Sequence, residues 1–484
     1  MYKSIQQFQS LGLKKIKKVS DEYIKDPSKI AELVKGITNE VVDLGLSLIA
    51  DEWNEYDDLY HSKKELRPGW YVVRTDETTL GTSLGEVHYH KTLFKNKVTG
   101  EYKYFLDELM GIDSHTRITE DAEARLLEEA VDSSYQKGGM NASISNFTVS
   151  KQTVMNKLRV LNFPSVAISD AKRQVKTIYI DADEDHVSLQ YLEKKGDIKN
   201  SYSNTYMPKM VYVYEGVEAQ GNRRSLINVK YFGGGYEGTK GTEALWDAVY
   251  QYIENEYDEE ALEKIYINGD GASWIKAGAN IHGKAKFVLD KFHMHKYIIA
   301  ATAHLMDSAE DARREIFRAI NGKRKWQAEG VFDHILMITE SESKRKAVEA
   351  SKTYILGQWT AIMTSINNKK DKLQCSAEGH ISHVYADRLS SRPLGWSKEG
   401  ADKMAQLRIY KWNQGDMLEL VRYQKEELPM AAGAEERITT ATEMMRSIKK
   451  NEDALGLMAD LPFYTIPYPQ IKKIASLKNR IWGL

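Results

Sequence analysis

The feature that most constrains the fold is the order of strand and helix patterns between residues 166 and 299. Three stretches rich in β-branched and aromatic residues follow one another: KTIYIDADEDHVSLQ, KMVYVYEGVEA and RSLINVKYFGGGY. An amphipathic helix is predicted next, from Thr242 to Asn255, because its apolar residues recur at helical spacing. A fourth strand in KIYINGDG and a fifth in KAKFVLDKFHMHKYIIA, which runs into a helix, complete the pattern.

Three strands in a meander, a helix and then alternating strands and helices predict an α/β fold with a ribonuclease-H-like core. Residues 300–370 show only helical patterns, so we predict an all-helical insertion into a core made of residues 166–299 and 371–396. The other predicted regions are an N-terminal helical region over 1–66, a small β-hairpin unit over 67–118, a helix-turn-helix-like DNA-binding region over 119–165 and a C-terminal helical region over 397–484.

The region 119–165 contains the pattern of two short helices after a break predicted at Gly138-Gly139. Ser150 can cap the second helix, and the residues after it give that helix one apolar side. Its outward residues are candidates for DNA contact: Lys151, Gln152, Asn156, Lys157 and Arg159. Two packed helices with a solvated polar face explain the pattern equally well.

Composition restricts the chemistry more than it identifies a partner. The chain has 484 residues with 68 basic and 69 acidic side chains, so it lacks the overall basic excess common in nucleic-acid-binding proteins. Cys375 is the single cysteine, which excludes an internal disulfide and a multi-cysteine zinc site. The sequence shows neither a secretory signal nor an apolar run long enough to cross a bilayer, so we expect a cytoplasmic protein without a membrane partner.

Three acidic positions are candidates for metal-dependent chemistry. Asp181, Asp183 and Asp185 alternate at the end of the first predicted strand and would share one face of it. Asp270 lies between two glycines after the fourth strand, and Glu378 follows the predicted insertion. Carboxylates suit Mg²⁺, which binds one or two of them together with substrate phosphates. An exposed acidic turn, a glycine turn and a solvated helix face are the alternatives.

Several blocks resemble one family. These blocks are GEVHYHKTLFKNKVTGEYKYFLDELMGI, IYIDADEDHV, INGDGASWIKAG, FVLDKFHMHKYI and CSAEGHISHVYADRLSSRPLGWSKEG. They are similar to blocks of bacterial insertion-sequence DDE transposases related to Mutator-type transposases, a group formerly treated as an uncharacterised protein family.

The resemblance implies a catalytic and metal-binding triad of Asp183, Asp270 and Glu378, with Asp181 as the alternative first member. It also implies two Mg²⁺ or Mn²⁺ ions, double-stranded DNA partners (terminal inverted repeats and target DNA), a homo-oligomer and association with the nucleoid. We expect three polar residues near Glu378 to contact DNA as well: His380, Arg388 and Arg392.

Two other functions remain open at this point. One is a transposase-derived DNA-binding protein without catalytic activity. The other is a hydrolase that uses paired carboxylates on a sugar, for which the 10% aromatic content could supply binding platforms.

Overall fold

The chain begins with a helical hairpin. The structure is a computed structural model and describes residues 3–145, 147–165, 171–190, 205–221, 223–368, 375–392 and 395–427. Helix α1 (Lys3–Gln7) continues through a π-helical turn into α2 (Leu13–Lys25), and α3 (Ile30–Ser62) packs against α2. Four apolar side chains of α3 remain exposed: Ile30, Val34, Ile37 and Val41.

A small antiparallel sheet follows, as the hairpin pattern predicts. After a 3₁₀ turn at Lys64–Leu66, the strands are β1 (Trp70–Gly81), β2 (Glu86–Asn96) and β3 (Tyr102–Tyr104), and helix α4 (Phe105–Leu109) comes next. The second half of α3 packs on this sheet, with the rings of Trp53 and Tyr89 4.9 Å apart.

Three helices then pack together: α5 (Glu120–Ala130), α6 (Tyr135–Met140) and α7 (Lys151–Arg159). The predicted break at Gly138-Gly139 is wrong, because both glycines lie inside α6. They are required for packing: a Cβ at Gly138 would lie 2.8 Å from the Ala130 Cβ, and one at Gly139 would lie 1.9 Å from the Val149 carbonyl oxygen. Ser150 caps α7, accepting a hydrogen bond from the Thr153 amide.

A five-stranded mixed sheet follows, together with two short two-stranded pairs. Its elements are β4 (Thr177–Glu184), β5 (Val187–Ser188), β6 (Thr205–Tyr206), β7 (Lys209–Tyr214), β8 (Gly216–Gln220), β9 (Arg223–Ile227), β10 (Lys230–Gly234), α8 (Gly238–Glu256), β11 (Lys264–Gly269), α9 (Ser273–Ala279) and β12 (Ala285–Leu289). The strand order is β10-β7-β4-β11-β12, in which β7 is antiparallel to both neighbours and β4, β11 and β12 are parallel.

The second and third predicted strands each divide into two. The end of the second predicted strand and the beginning of the third leave the large sheet. They pair with each other as the separate hairpin β8–β9. Asn228 links β9 to β10 with a φ of +51°, a left-handed backbone angle that asparagine adopts more readily than most residues. This bend ends the hairpin and returns the chain to the sheet.

Apolar side chains cover both faces of the large sheet. One face packs Ile178, Ile180 and Val211 against α8, where Trp246 is fully buried. The other face carries buried tyrosines and packs against α5, α7 and helices near the end of the described chain. Layers on both sides of a sheet with a parallel half are typical of α/β domains.

Residues 291–367 are helical: α10 (Lys291–Thr302), a 3₁₀ segment (Ala303–Ser308), α11 (Ala309–Asn321), α12 (Lys325–Ile338), α13 (Glu342–Gly357) and α14 (Trp359–Asn367). After the gap in the description come α15 (Ala377–Ile381), a π-helical turn (Ser382–Ala386), α16 (Asp387–Leu389), α17 (Lys398–Trp412) and α18 (Met417–Glu427). The rest of the predicted C-terminal helical region, 428–484, lies outside the described residues. Among the helices that are described, none combines the length and apolar character needed to span a membrane.

Candidate active site

Asp183 and Asp270 lie at the same end of two neighbouring parallel strands. Asp181 on β4 is paired in register with Asn268 on β11, and each candidate carboxylate follows its strand's member of this pair by two residues. The carboxyl ends of parallel strands are where ligands bind in α/β sheets. The register therefore brings together two carboxylates that are 87 positions apart in the sequence.

Glu378 joins them from α15, which packs against β4. The three carboxylates line one cavity of about 480 Å³. Its full lining is Asp183, Glu184, Asp185, His186, Asp270, His293, Lys296, Tyr297, Tyr354, Glu378, Ile381, Ser382 and Ala386. The structure thus places the three predicted site residues around a common space.

The charge state of Asp183 reflects this clustering. Burial, with a smaller contribution from the nearby charges of Asp270 and Glu378, raises its pKa to about 7, while the Glu184 amide and His293 oppose the shift. Burial also raises the pKa of Glu184, with a contribution from Asp270. Like charges that crowd a partly buried cavity favour binding of a cation or a proton.

Asp181 has a different environment from Asp183, although both point to the same side of β4. It is fully buried and accepts hydrogen bonds from Tyr212 Oη at 2.8 Å, Asn268 Nδ2 at 2.7 Å and the Ser376 amide at 2.8 Å. It does not line the cavity. Of the two positions that the sequence left open, Asp183 is the one that borders the cavity.

Two basic residues that sequence reasoning did not single out also line the cavity: His293 and Lys296, both on α10. His293 Nδ1 lies 3.1 Å from Asp290 Oδ2, and this contact raises the pKa of His293, with burial opposing the shift. Asp290 follows β12 directly and caps α10. The sequence contains one signal for this part of the site: Asp290 comes directly after a predicted strand, as Asp270 does.

The helical segment also contributes to the site. Tyr354 on α13 donates a hydrogen bond to the Asp270 carbonyl oxygen, and Gln358 Nε2 lies 3.3 Å from the Gly271 carbonyl oxygen. Gly271 has a φ of +93°, and a Cβ there would lie 2.4 Å from Gln358 Nε2. The loop that carries Asp270 is therefore held in place by α13.

The predicted DNA-contacting residues of α7 divide into two groups. Lys151, Gln152 and Asn156 are exposed, and Gln152 bonds to Asn156 at 3.0 Å. Lys157 is bonded to Glu123 at 2.7 Å, and Arg159 donates to Ser397 Oγ at 3.0 Å. The first group is available to an external partner, whereas the second is used in packing α7 against other helices.

The predicted contacts after Glu378 also differ in exposure. His380 is half-buried, its Nδ1 lies 2.8 Å from Tyr231 Oη, and burial lowers its pKa to about 4. Arg388 is buried, donates to the Ala130 carbonyl oxygen at 3.2 Å and lies over the Trp396 ring. Arg392 is exposed. Of the three, only Arg392 is exposed, whereas His380 is partly covered and Arg388 is buried.

A hard divalent cation requires several oxygen ligands. Within the described ranges, no three histidine, cysteine, aspartate or glutamate side chains are arranged as a ready-made metal site. The chemistry of the cavity nevertheless fits Mg²⁺ or Mn²⁺, because its acidic oxygens are the ligands that such ions prefer and their mutual repulsion would be relieved by positive charge.

A larger cavity of about 700 Å³ lies elsewhere, between β10, α8 and α17. Its lining contains one carboxylate, Asp402, which accepts hydrogen bonds from the Gly235 amide and Tyr206 Oη. This cavity lacks the clustered charges of the smaller one. The smaller cavity is therefore the better candidate for chemistry.

Comparisons with known proteins identify relatives of the chain. A UPF0236 protein of Caldanaerobacter subterraneus subsp. tengcongensis is 39% identical over 392 residues, which cover 81% of this chain and 79% of the relative. Another from that organism, whose name joins eleven designations, is 38% identical over 403 residues, covering 83% and 82%. The Streptococcus gallolyticus protein "UPF0236 protein in vanSb 3'region" is 23% identical over 351 residues, covering 69% and 73%.

One solved structure, "Drosophila P element transposase strand transfer complex", aligns with 67% of this chain and 84% of that chain. Its TM-score is 0.21 at 11% sequence identity, a similarity too low to support a shared fold. The family model described as "Uncharacterised protein family (UPF0236)" matches residues 23–427. The chain therefore belongs to the uncharacterised protein family UPF0236.

Proposed function

We propose that this protein is a DDE-type transposase that cuts DNA at the ends of an insertion sequence and joins the freed 3′-hydroxyl to target DNA. The observation that carries the proposal is the meeting of Asp183, Asp270 and Glu378 in one cavity at the carboxyl ends of β4 and β11. The strand order, with an antiparallel first half and a parallel second half, supports the ribonuclease-H-like core that the sequence predicted.

In this reaction the side chains of the cavity would bind the cations and orient the DNA phosphate. Divalent ions bound here would supply Lewis-acid activation of the attacking oxygen and stabilisation of the leaving oxygen at phosphorus. Asp183, Asp270 and Glu378 would hold these ions. His293 and Lys296 line the same cavity and can attract phosphate oxygens. Tyr354 and Gln358 hold the Asp270 loop so that its carboxylate keeps its place.

The name of one relative gives separate support. It joins eleven designations in one organism, which fits a gene carried in several copies, as expected of a mobile element. We expect double-stranded DNA as the partner, with terminal inverted repeats bound by the N-terminal regions. The exposed residues Lys151, Gln152, Asn156 and Arg392 are the predicted positions best able to contact it.

The test uses the full-length protein and labelled double-stranded DNA from both flanks of its own gene, with Mn²⁺ or with a chelator. We expect Mn²⁺-dependent strand cleavage, reduced at least about 100-fold in Asp270→Asn and Glu378→Gln, while DNA binding is retained. Glu342→Gln removes an exposed carboxylate on α13 outside the cavity and should cleave at the unmodified rate.

The outcomes separate the three functions. DNA binding by the unmodified protein without cleavage would indicate a catalytically silent DNA-binding protein. Hydrolysis of a glycoside that persists in the chelator would indicate the sugar hydrolase. Unchanged DNA cleavage in either cavity variant would refute this assignment of the site.

A further inference from the structure

The carboxylate of Asp181 is buried at the centre of the sheet and accepts hydrogen bonds from three other elements: β7, β11 and the start of α15. Besides Tyr212, Asn268 and the Ser376 amide, it accepts hydrogen bonds from Tyr214 Oη at 3.2 Å and Ser376 Oγ at 3.4 Å. Burying a charged group is unfavourable unless donors compensate for the lost water. Both oxygens of Asp181 have such donors, yet neither oxygen reaches the cavity.

The link to Ser376 is the one that matters for the site. Ser376 is the residue before α15 and precedes Glu378 by two positions. Helix α15 continues directly through the π-helical turn into α16, and a helical segment that ends at Leu389 still depends on contacts with the rest of the protein for its stability. The hydrogen bond from the Ser376 amide to Asp181 Oδ2 fixes the start of α15 against β4.

Tyr212 and Tyr231 also hold α15 at a second residue, His380. The ring of Tyr212 lies 4.5 Å from the ring of His380, and Tyr212 Oη also lies 2.7 Å from Ser376 Oγ. Tyr231 bonds to Nδ1 of His380. Contacts before and after Glu378 therefore converge on the network centred on Asp181.

We propose that Asp181 is a positioning residue that holds α15, and through it Glu378, beside Asp183. The cation-holding role of Glu378 in this statement rests on the proposed function, whereas the anchoring of α15 does not. A carboxylate suits this task because its partners include the Ser376 amide on one oxygen and the Asn268 amide group on the other. An asparagine would direct its own N–H groups at one of these donors.

The first measurement is amide hydrogen exchange by mass spectrometry on peptides that cover residues 375–381, without metal. We expect about tenfold faster exchange there in Asp181→Asn, since the hydrogen bond from the Ser376 amide to Asp181 Oδ2 is lost or weakened. Tyr212→Phe, which removes a hydroxyl in contact with both Asp181 and Ser376, should give a similar but smaller change. Tyr214→Phe is the matched control, because Tyr214 bonds to Asp181 but not to Ser376. In this variant, exchange of residues 375–381 should stay near the rate of the unmodified protein.

The second measurement is the Mn²⁺ dependence of DNA cleavage. If Asp181 positions Glu378, the half-saturating Mn²⁺ concentration rises about 10- to 100-fold in Asp181→Asn. A general loss of folded protein lowers the maximal rate instead and leaves that concentration unchanged. Where Asp181→Asn does not fold, Tyr212→Phe serves for both measurements.

The two measurements fail independently. Faster exchange at 375–381 in a protein whose unmodified form cuts no DNA would support the anchoring and refute the proposed function. The proposal would be overturned if residues 375–381 exchanged at the rate of the unmodified protein in folded Asp181→Asn and Tyr212→Phe. An unchanged half-saturating Mn²⁺ concentration in an active variant would also overturn it.

Discussion

At Asp183, burial and two neighbouring carboxylates raise the pKa from 3.8 to about 7. Between these pH values the folded protein keeps a proton that the unfolded chain has released. The free energy of unfolding in a chelator should therefore fall as the pH rises from 5 to 7, by about 1 to 2 kcal/mol from this group. Urea unfolding at several pH values measures this change.

The variant Asp183→Asn isolates the contribution. It should flatten the decline between pH 5 and 7, because the amide cannot release a proton. Glu342→Gln, exposed and outside the cavity, should keep the decline of the unmodified protein. An equally steep decline in Asp183→Asn would show that Asp183 is not the group responsible.

The choice between Asp181 and Asp183 shows what a sequence cannot decide. Strand alternation correctly places both on the same side of β4. Which of them faces the cavity depends on donors that come from distant parts of the chain: Tyr212, Asn268 and Ser376. No local pattern reports these contacts, so the distinction needs the folded structure.

At the scale of elements, the contact between α13 and the Asp270 loop leads to a prediction. Gly271→Ala should lower the free energy of unfolding by about 1 to 2 kcal/mol, since φ at +93° is strained for alanine and its Cβ would displace Gln358. It should also slow cleavage, because Asp270 would shift. Urea unfolding and the cleavage assay measure the two effects.

Gly330→Ala on α12 is the control for this change. A Cβ at Gly330 meets no atom within 4 Å and the residue is helical, so alanine should stabilise the protein by about 0.5 to 1 kcal/mol. If Gly271→Ala were as stable and as active as the unmodified protein, the loop would not depend on α13.

Helix α7 provides a second prediction. Lys151→Ala should weaken DNA binding and reduce the slope of log affinity against log salt by about 1, as expected for one lost phosphate contact. Lys157→Ala should leave that slope unchanged and instead destabilise the fold by about 1 kcal/mol, since Glu123 loses its partner. Fluorescence anisotropy across a salt series would show equal slopes in the two variants if α7 did not contact DNA.

Element types were more predictable than the bends within them. The positions of β4, β11 and α8 follow from apolar periodicity, because each buries a regular stripe in one core. The predicted break at Gly138-Gly139 is wrong because glycine occurs both where helices end and where helices pack closely. Local sequence does not separate these two uses, and only the contacts with Ala130 and Val149 do so.

The protein has an exposed apolar surface on α3 that is suited to the predicted homo-oligomer. Ile30, Val34, Ile37 and Val41 are exposed on α3 at alternating spacings of four and three, the pattern of a coiled-coil seam. We expect a second copy to cover this stripe. The double variant Val34→Glu and Val41→Glu should shift the protein toward the monomer in light scattering, whereas Val98→Glu, at an exposed hairpin turn, should not. A monomeric unmodified protein would contradict this expectation.

We propose that Asp183, Asp270 and Glu378 act together as one cation-binding site. Anomalous diffraction from crystals of the protein soaked in Mn²⁺ tests it most directly. We expect anomalous density in contact with carboxylate oxygens of Asp183, Asp270 and Glu378. Density found only at other positions, at Mn²⁺ concentrations that support cleavage, would contradict it.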